Sequence, residues 1–268
     1  MADRTMVFGD DGSISADLAW LWINCHPWPQ WRIEVVAAVM PSLDRVSTEG
    51  SELHEWQPAN PRRAFSDSRI DEVIHLTCEL DPRLALSRSA DLLVIGPRGP
   101  GLAKAMHLGS TAEWLMIHPP APMLVVRHGR RTQTVVICHD GSPDARAATD
   151  VVCRMPWVDQ LIVTIVGVDD GRAAVEEAVE AASVPLTAVG ADVRHEILCG
   201  VPTVELLRHL EQNNPDLVVL GTRGLTGLPR LRRGSTAGVL AHATQSSVLL
   251  ASDQAADEKT GLGVGNGE

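Results

Sequence analysis

Short apolar runs bounded by polar, glycine-bearing turns recur along this 268-residue chain, and stretches with helical spacing of apolar positions separate them. In the later part, 134–138 reads as a strand that ends at His139 and Asp140. Ser142 is suited to cap a helix and Pro143 to its first position, so a helix is predicted toward Cys153. The β-rich run 161–168 follows, then a helix over 172–182, a strand at 193–198 and a helix over 202–212. A strand at 216–220, a helix over 235–243 and a strand at 247–251 complete the series. The earlier part repeats the order, with strands near 5–8, 33–39, 72–76, 91–95 and 123–126. Val/Ile/Leu-rich strands separated by helices predict a parallel sheet covered on both faces. Residues 41–70, rich in proline, serine and charge, predict an irregular excursion in place of a clean second helix.

The chain is a duplication. Setting 95–115 against 220–240 aligns Gly96, Arg98 and Gly99 with Gly221, Arg223 and Gly224 at a constant offset of 125. Asp-Gly-Ser occurs at 11–13 and again at 140–142, each time just after a first strand. The fold expected is α/β, with two repeated Rossmann-like domains, each a mostly five-stranded parallel sheet with helices on both faces. The predicted boundaries are 1–127 and 128–252, with a disordered tail over 253–268.

Two loops carry the candidate chemistry, and both have the spacing G-x2-G-x9-G-S. The first holds Gly96, Gly99, Gly109 and Ser110; the second holds Gly221, Gly224, Gly234 and Ser235. Glycine at a strand exit allows positive φ and a close approach of the backbone to a ligand. The helix opened by each Gly-Ser pair has unpartnered N–H groups and a positive dipole end, which favour an anion. Open α/β sheets bind ligands outside the carboxyl ends of their strands, where these loops fall. A tight turn with a serine cap is the plainer alternative, but two matching copies favour a polyphosphate cradle. Neither loop is a P-loop, since no Gly-Lys-Ser/Thr is present, and the compact GxGxxG fingerprint is absent. The glycines at 261–267 have no strand before them.

Together, these features resemble tandem universal stress proteins of the ATP-binding type, over 5–127 and 132–251. The resemblance implies that Asp11 and Asp140, with Gly12 and Gly141, lie beside ribose and adenine, and that Val39 and Val168 offer backbone groups to the ring. It implies that Gly96, Gly99, Gly109, Ser110 and Thr111 hold ribose and phosphates, as do Gly221, Gly224, Gly234, Ser235 and Thr236. Arg98 and Arg223, at matching places, are candidates to meet the phosphates. The implied ligand is ATP or another adenine nucleotide, with or without Mg2+, and the implied protein partner is of unknown identity. The family also implies that 123–126 and 247–251 pair the two units into an intramolecular pseudo-dimer, alone or as half of a homodimer. Roles in hypoxia, dormancy or starvation are implied by resemblance only. The first copy departs from the pattern: Pro97 and Pro100 each remove a backbone donor. The second copy therefore matches more closely.

Composition narrows the partners. A net charge of −11 and a pI near 5.3 argue against nucleic acid and anionic membrane surfaces. The acidic start lacks signal-peptide character, and no long apolar run would span a membrane. Five scattered cysteines read as reduced thiols, so a cytoplasmic protein is expected. Two lysines against twenty-one arginines suggest a GC-rich bacterial coding bias. No CxxC, zincin spacing or G-x-S-x-G elbow occurs, so neither a metal site nor a catalytic residue is predicted. His139 beside Asp140 reads as a pocket wall before it reads as a base. The leading expectation is an ATP-binding stress-response regulator or sensor. The alternatives are slow ATP hydrolysis or adenylate transfer at the same loops, and a nucleotide-free scaffold of the same fold.

Overall fold

The computed structural model describes residues 3–39, 54–55, 70–99, 108–171, 175–222 and 236–253. The first half contains β1 (Arg4–Gly9), α1 (Ile14–Asn24), β2 (Trp28–Ala38), β3 (His54–Glu55), β4 (Ile70–Cys78), α2 (Pro82–Ala85), β5 (Leu92–Ile95), α3 (Ser110–Ile117) and β6 (Met123–Val125). The second contains β7 (Thr134–Cys138), α4 (Pro143–Cys153), β8 (Ile162–Asp169), α5 (Val175–Ala188), β9 (Asp192–Cys199), α6 (Pro202–Asn213), β10 (Leu217–Gly221), α7 (Thr236–Ala243) and β11 (Ser247–Ala251). Matching serines start the matching helices. Ser13 Oγ accepts from Ala16 N at 3.1 Å, and Ser142 Oγ accepts from Ala145 N at 3.2 Å.

The eleven strands of the described residues form one sheet, in the order β3-β4-β2-β1-β5-β6-β11-β10-β7-β8-β9. Each half uses the same doubly wound order, running outward from its first strand and then crossing back to the strand on the other side. The pairs are parallel except at two places, β3 with β4 and the central joint of β6 with β11. At that joint Val125, Leu124 and Met123 oppose Val248, Leu249 and Leu250. β6 and β11 are buried throughout, as are the four residues of β5.

Two apolar layers sandwich the sheet. One gathers residues of α1, α4 and α5 with Met6, Phe8 and Ile137; the other gathers α2, α3, α6 and α7 with Val7, Val36 and Val218. This is the two-faced cover that unbroken apolar strands require. The tryptophans of α1 and the start of β2 belong to the interior: Trp22 and Trp28 are fully buried, and Trp157 of the second half meets them at 5.9 and 6.0 Å between ring centroids. The aromatic cluster thus fastens one half to the other. No helix among the described residues is long and apolar enough to cross a membrane.

Two local features differ from the pattern-based reading. β2 starts at Trp28, well before position 33, because an irregularity between Trp28 and Arg32, with Gln30 at φ 65°, keeps the strand paired through Pro29. α5 runs past residue 182 to Ala188 with Pro185 inside it. Proline forfeits one helical hydrogen bond there, while the fully buried Leu186 keeps the final turn on the sheet. Most of the 41–70 excursion lies outside the described residues.

Candidate functional site

In a doubly wound sheet the crevice opens where the chain reverses direction, between the first and fourth strands. Here those are β1 with β5 and β7 with β10. The turn leaving β1 is built by two aspartates. Asp10 Oδ1 accepts from Gly12 N and Asp11 Oδ1 accepts from Ser13 N, both at 3.0 Å, with Gly12 at φ 71°. The turn leaving β7 repeats the device: Asp140 Oδ1 accepts from Ser142 N at 3.0 Å, His139 Nδ1 accepts from Gly141 N at 3.2 Å, and Gly141 sits at φ 81°. Both aspartates therefore have a structural task, as Asx turns that aim the chain into the helix.

The loop glycines divide by role. A side chain at Gly96 would lie 2.7 Å from the Ser15 backbone, and one at Gly221 would lie 2.7 Å from Ala145 N and 2.8 Å from Asp144 C. The first glycine of each motif thus lets a strand exit press against the start of the neighbouring helix. Gly99 differs, because its missing Cβ faces Asp11 Oδ2 at 2.9 Å. The fold brings Asp11 and Gly99, which lie far apart in sequence, to one spot. Gly109 caps α3 and Ser110 is the first helical residue, one position later than a capping serine would be. Gly109 N donates to Pro97 O at 2.8 Å, closing the neck of the first loop, and Ser13 Oγ donates to Arg98 O at 3.2 Å. Ser110 is exposed, and Thr111 is half-buried beside it in the first turn of α3. Thr236 opens α7 with its hydroxyl 2.9 Å from that of Thr203. Arg223, Gly224, Gly234 and Ser235 lie outside the described residues.

The paired valines are not equivalent. Val166 O accepts from His139 N, so Val168, two residues on, turns its N–H and C=O the same way, past the end of β7 and toward Asp140. In the first half Val36 O accepts from Asp10 N, and Val39 N donates to Cys78 O at 2.8 Å on the opposite side. Ala38 holds the place that matches Val168, and the Val39 amide is committed to β4.

A groove of about 550 Å³ adjoins the second turn, with His139, Asp140 and Gly141 at one end and Arg146, Glu177 and Ala181 along its sides. His139 is buried, and because Nδ1 accepts from Gly141, the proton sits on Nε2, which has no partner among the described residues. Burial draws its pKa below the ordinary histidine value, against the pull of Asp140, so the ring is neutral at pH 7. An unsatisfied buried donor of this kind costs about 1–3 kcal/mol.

Sequence reasoning missed Asp144 and Thr222. Asp144 is a buried carboxylate in the first turn of α4; Oδ2 accepts from Thr222 Oγ1 at 2.7 Å and Oδ1 accepts from Asp253 N at 3.1 Å. This lock fixes the residue after Gly221 to the helix start and to the exit of β11. An acidic residue in a first helical turn is unremarkable on its own, and only the fold reveals its two distant donors. Among the described residues no group of His, Cys, Asp or Glu is arranged to hold a metal ion.

Comparisons with known proteins agree with this architecture. The sequence profile of the Universal stress protein family matches twice, at 34–127 and 163–252. A universal stress protein of Mycolicibacterium smegmatis is 25% identical over 287 aligned positions, covering 91% of this chain and 96% of the relative. One from Synechocystis is 28% identical over 66% of this chain and 64% of its own length. The crystal structure of a universal stress protein from Archaeoglobus fulgidus shares the fold, with a TM-score of 0.63 at 15% identity over 94% of this chain and 100% of the other. With both of its halves matching that profile, the chain belongs to the Universal stress protein family.

Proposed function

We propose that this chain binds ATP, or another adenine nucleotide, and acts in the cytosol as a stress-response regulator or sensor. The observation that carries the reading is the meeting of Gly99 with Asp11 Oδ2, at 2.9 Å from the position of a Cβ, at the reversal point of the sheet. A glycine there leaves room for a ligand's sugar against a carboxylate, and the helix that opens after the loop presents N–H groups to phosphates. The outward-turned backbone of Val168 supplies the donor and acceptor that an adenine edge requires. Main-chain groups and helix ends provide the binding energy in this reading, and any Mg2+ travels with the phosphates.

Isothermal titration of the full chain with Mg-ATP tests it, together with identification of nucleotide released from freshly purified, denatured protein. Saturable heat with a defined stoichiometry is expected. Absence of both heat and copurified nucleotide overturns the reading. Release of ADP over hours from the bound complex would instead favour a slow hydrolase at the same loops.

A further inference from the structure

The turns that follow β1 and β7 are closed by different side chains. Setting Asp11-Gly12-Ser13 against Asp140-Gly141-Ser142 places Asp10 opposite His139. Asp10 Oδ1 accepts from Gly12 N at 3.0 Å, and His139 Nδ1 accepts from Gly141 N at 3.2 Å. The turn therefore requires an acceptor only. The histidine brings in addition an Nε2–H, which is buried with the ring and has no partner among the described residues. The two nitrogens of an imidazole point in diverging directions. With Nδ1 held by the turn, Nε2 faces away from it, toward the groove between α4 and α5 that His139 lines.

Small side chains on both walls make the space above that ring. The same alignment sets Thr149 of α4 opposite Trp20 of α1. Trp20 is buried and packs on Phe8 at 5.3 Å between ring centroids, so an indole fills in the first half a place that a threonine holds in the second. α5 is seated on β8 by Gly167, where a Cβ would lie 2.6 Å from Val175 Cγ2 and 2.8 Å from Val179 Cγ2. From that seat it turns Ala178, Ala182 and Pro185 to the groove, which keeps about 550 Å³. α4 and α5 cover the sheet face that carries Ile137, whereas α7 covers the face that carries Val218. None of Val168, Gly221 and Thr236 is among the described residues that line the groove. It therefore lies across the sheet from the helix that opens after the second glycine loop.

We infer that the groove between α4 and α5 is a second binding site, for a small, neutral, largely apolar molecule bearing a carbonyl or ring-nitrogen acceptor that takes the hydrogen bond of His139 Nε2. Its apolar body would lie on Ala178, Ala182 and Pro185, with the acceptor turned inward to the histidine. The volume falls within the roughly 300–1,000 Å³ usual for small-molecule pockets. Charge at the mouth disfavours an anion: Asp140, Asp150 and Glu177 face a single guanidinium, Arg146, whose Nη2 is given to Gly141 O at 2.7 Å. An inward cation is disfavoured as well, since the buried ring offers it an N–H and no lone pair. The site is independent of nucleotide at the glycine loops.

The probe is 4-fluorobenzamide, titrated with the full-length chain and read by fluorine NMR, with 4-fluorotoluene as the partner that has the same outline and no acceptor. Saturable one-to-one binding of the amide in the millimolar range, as suits so small a molecule, is expected. Thr149→Trp, which installs the residue that α1 carries, should weaken it by about tenfold or more through overpacking. Ala181→Trp blocks the same space from an exposed helix position that the fold tolerates, and should act alike. His139→Asp keeps an acceptor for Gly141 N, as Asp10 does for Gly12 N, and should reduce the preference for the amide over the toluene about several-fold through loss of the donor. Saturating Mg-ATP should leave the titration unchanged. Failure to saturate, affinity unchanged in Ala181→Trp, or a preference unchanged in His139→Asp overturns the inference. Displacement of the probe by Mg-ATP also overturns it, by assigning the probe to the nucleotide crevice.

Discussion

Acid should loosen this molecule at His26. The ring is 1% exposed; Nδ1 donates to Trp22 O at 2.7 Å, and Nε2 accepts from Thr132 N at 3.0 Å. It also lies against Trp157 of the second half, 4.2 Å between centroids. Both ring nitrogens are thus satisfied in the neutral form, and a second proton on Nε2 would face the Thr132 N–H. Burial lowers the His26 pKa from 6.5 to about 4, with the hydrogen bond to Trp22 opposing and Arg131 adding to the shift. A histidine held neutral in the fold contributes stability that is fully present above 6.5 and is lost as pH falls toward 4. The unfolded chain binds the proton first, so stability rises with pH across that window. The difference of about 2.5 pH units corresponds to about 3 kcal/mol, a large share of the roughly 5–15 kcal/mol typical of a domain. Urea unfolding followed by tryptophan fluorescence at pH 7, 6, 5 and 4.5 measures it, with His26→Gln as reference. Other histidines lowered by burial, including His75, His128 and His139, titrate alike in both proteins and cancel in the difference. The gap between wild type and His26→Gln should shrink by about 3 kcal/mol over the window. Parallel stability curves would refute the reasoning.

Further outcomes follow from the packing around the turns. Gly221→Ala forces a Cβ to 2.7 Å from Ala145 N and should cost about 1–3 kcal/mol in thermal unfolding whether or not nucleotide is present. Thr222→Val removes a donor from the buried Asp144 carboxylate and should cost a further 1–3 kcal/mol or so, with Thr222→Ser restoring most of it. Burial alone would raise the pKa of Asp216, but hydrogen bonds from Thr134 and Gln133 and the nearby Arg130 outweigh it and hold it below 3.8. Its contribution is present above that value and lost below it, so Asp216→Asn should flatten the acid limb of a pH–stability profile below pH 4. Gly99→Ala pushes a methyl against Asp11 and should weaken nucleotide binding in the first half with little change in melting temperature, as separate titration and melting experiments can show.

The order of elements was readable in advance because apolar runs and glycine-marked turns recur in the same order in both halves, and because Ser142 announces a helix start. Register was not readable. A strand's sequence does not say which way an amide turns, so Val39 was paired with Val168 although Ala38 holds that place. The pattern places the end of α5 at 182, yet the helix continues past Pro185 to Ala188, with Leu186 buried on the sheet. The glycine spacing was visible, but Gly96 and Gly221 owe it to helix contacts that only the folded chain makes. Asp144 and Thr222 lie 78 positions apart, and no local pattern links them.

The antiparallel joint between β6 and β11 has a directional consequence. Two parallel half-sheets that meet head to tail point their carboxyl ends at opposite poles of the molecule. The turns at Asp11 and Asp140 therefore look away from each other. Among the described residues the two poles are joined by the shared strands and by the tryptophan cluster beneath them. In that respect each half presents its own carboxyl edge, one at each pole of the shared sheet.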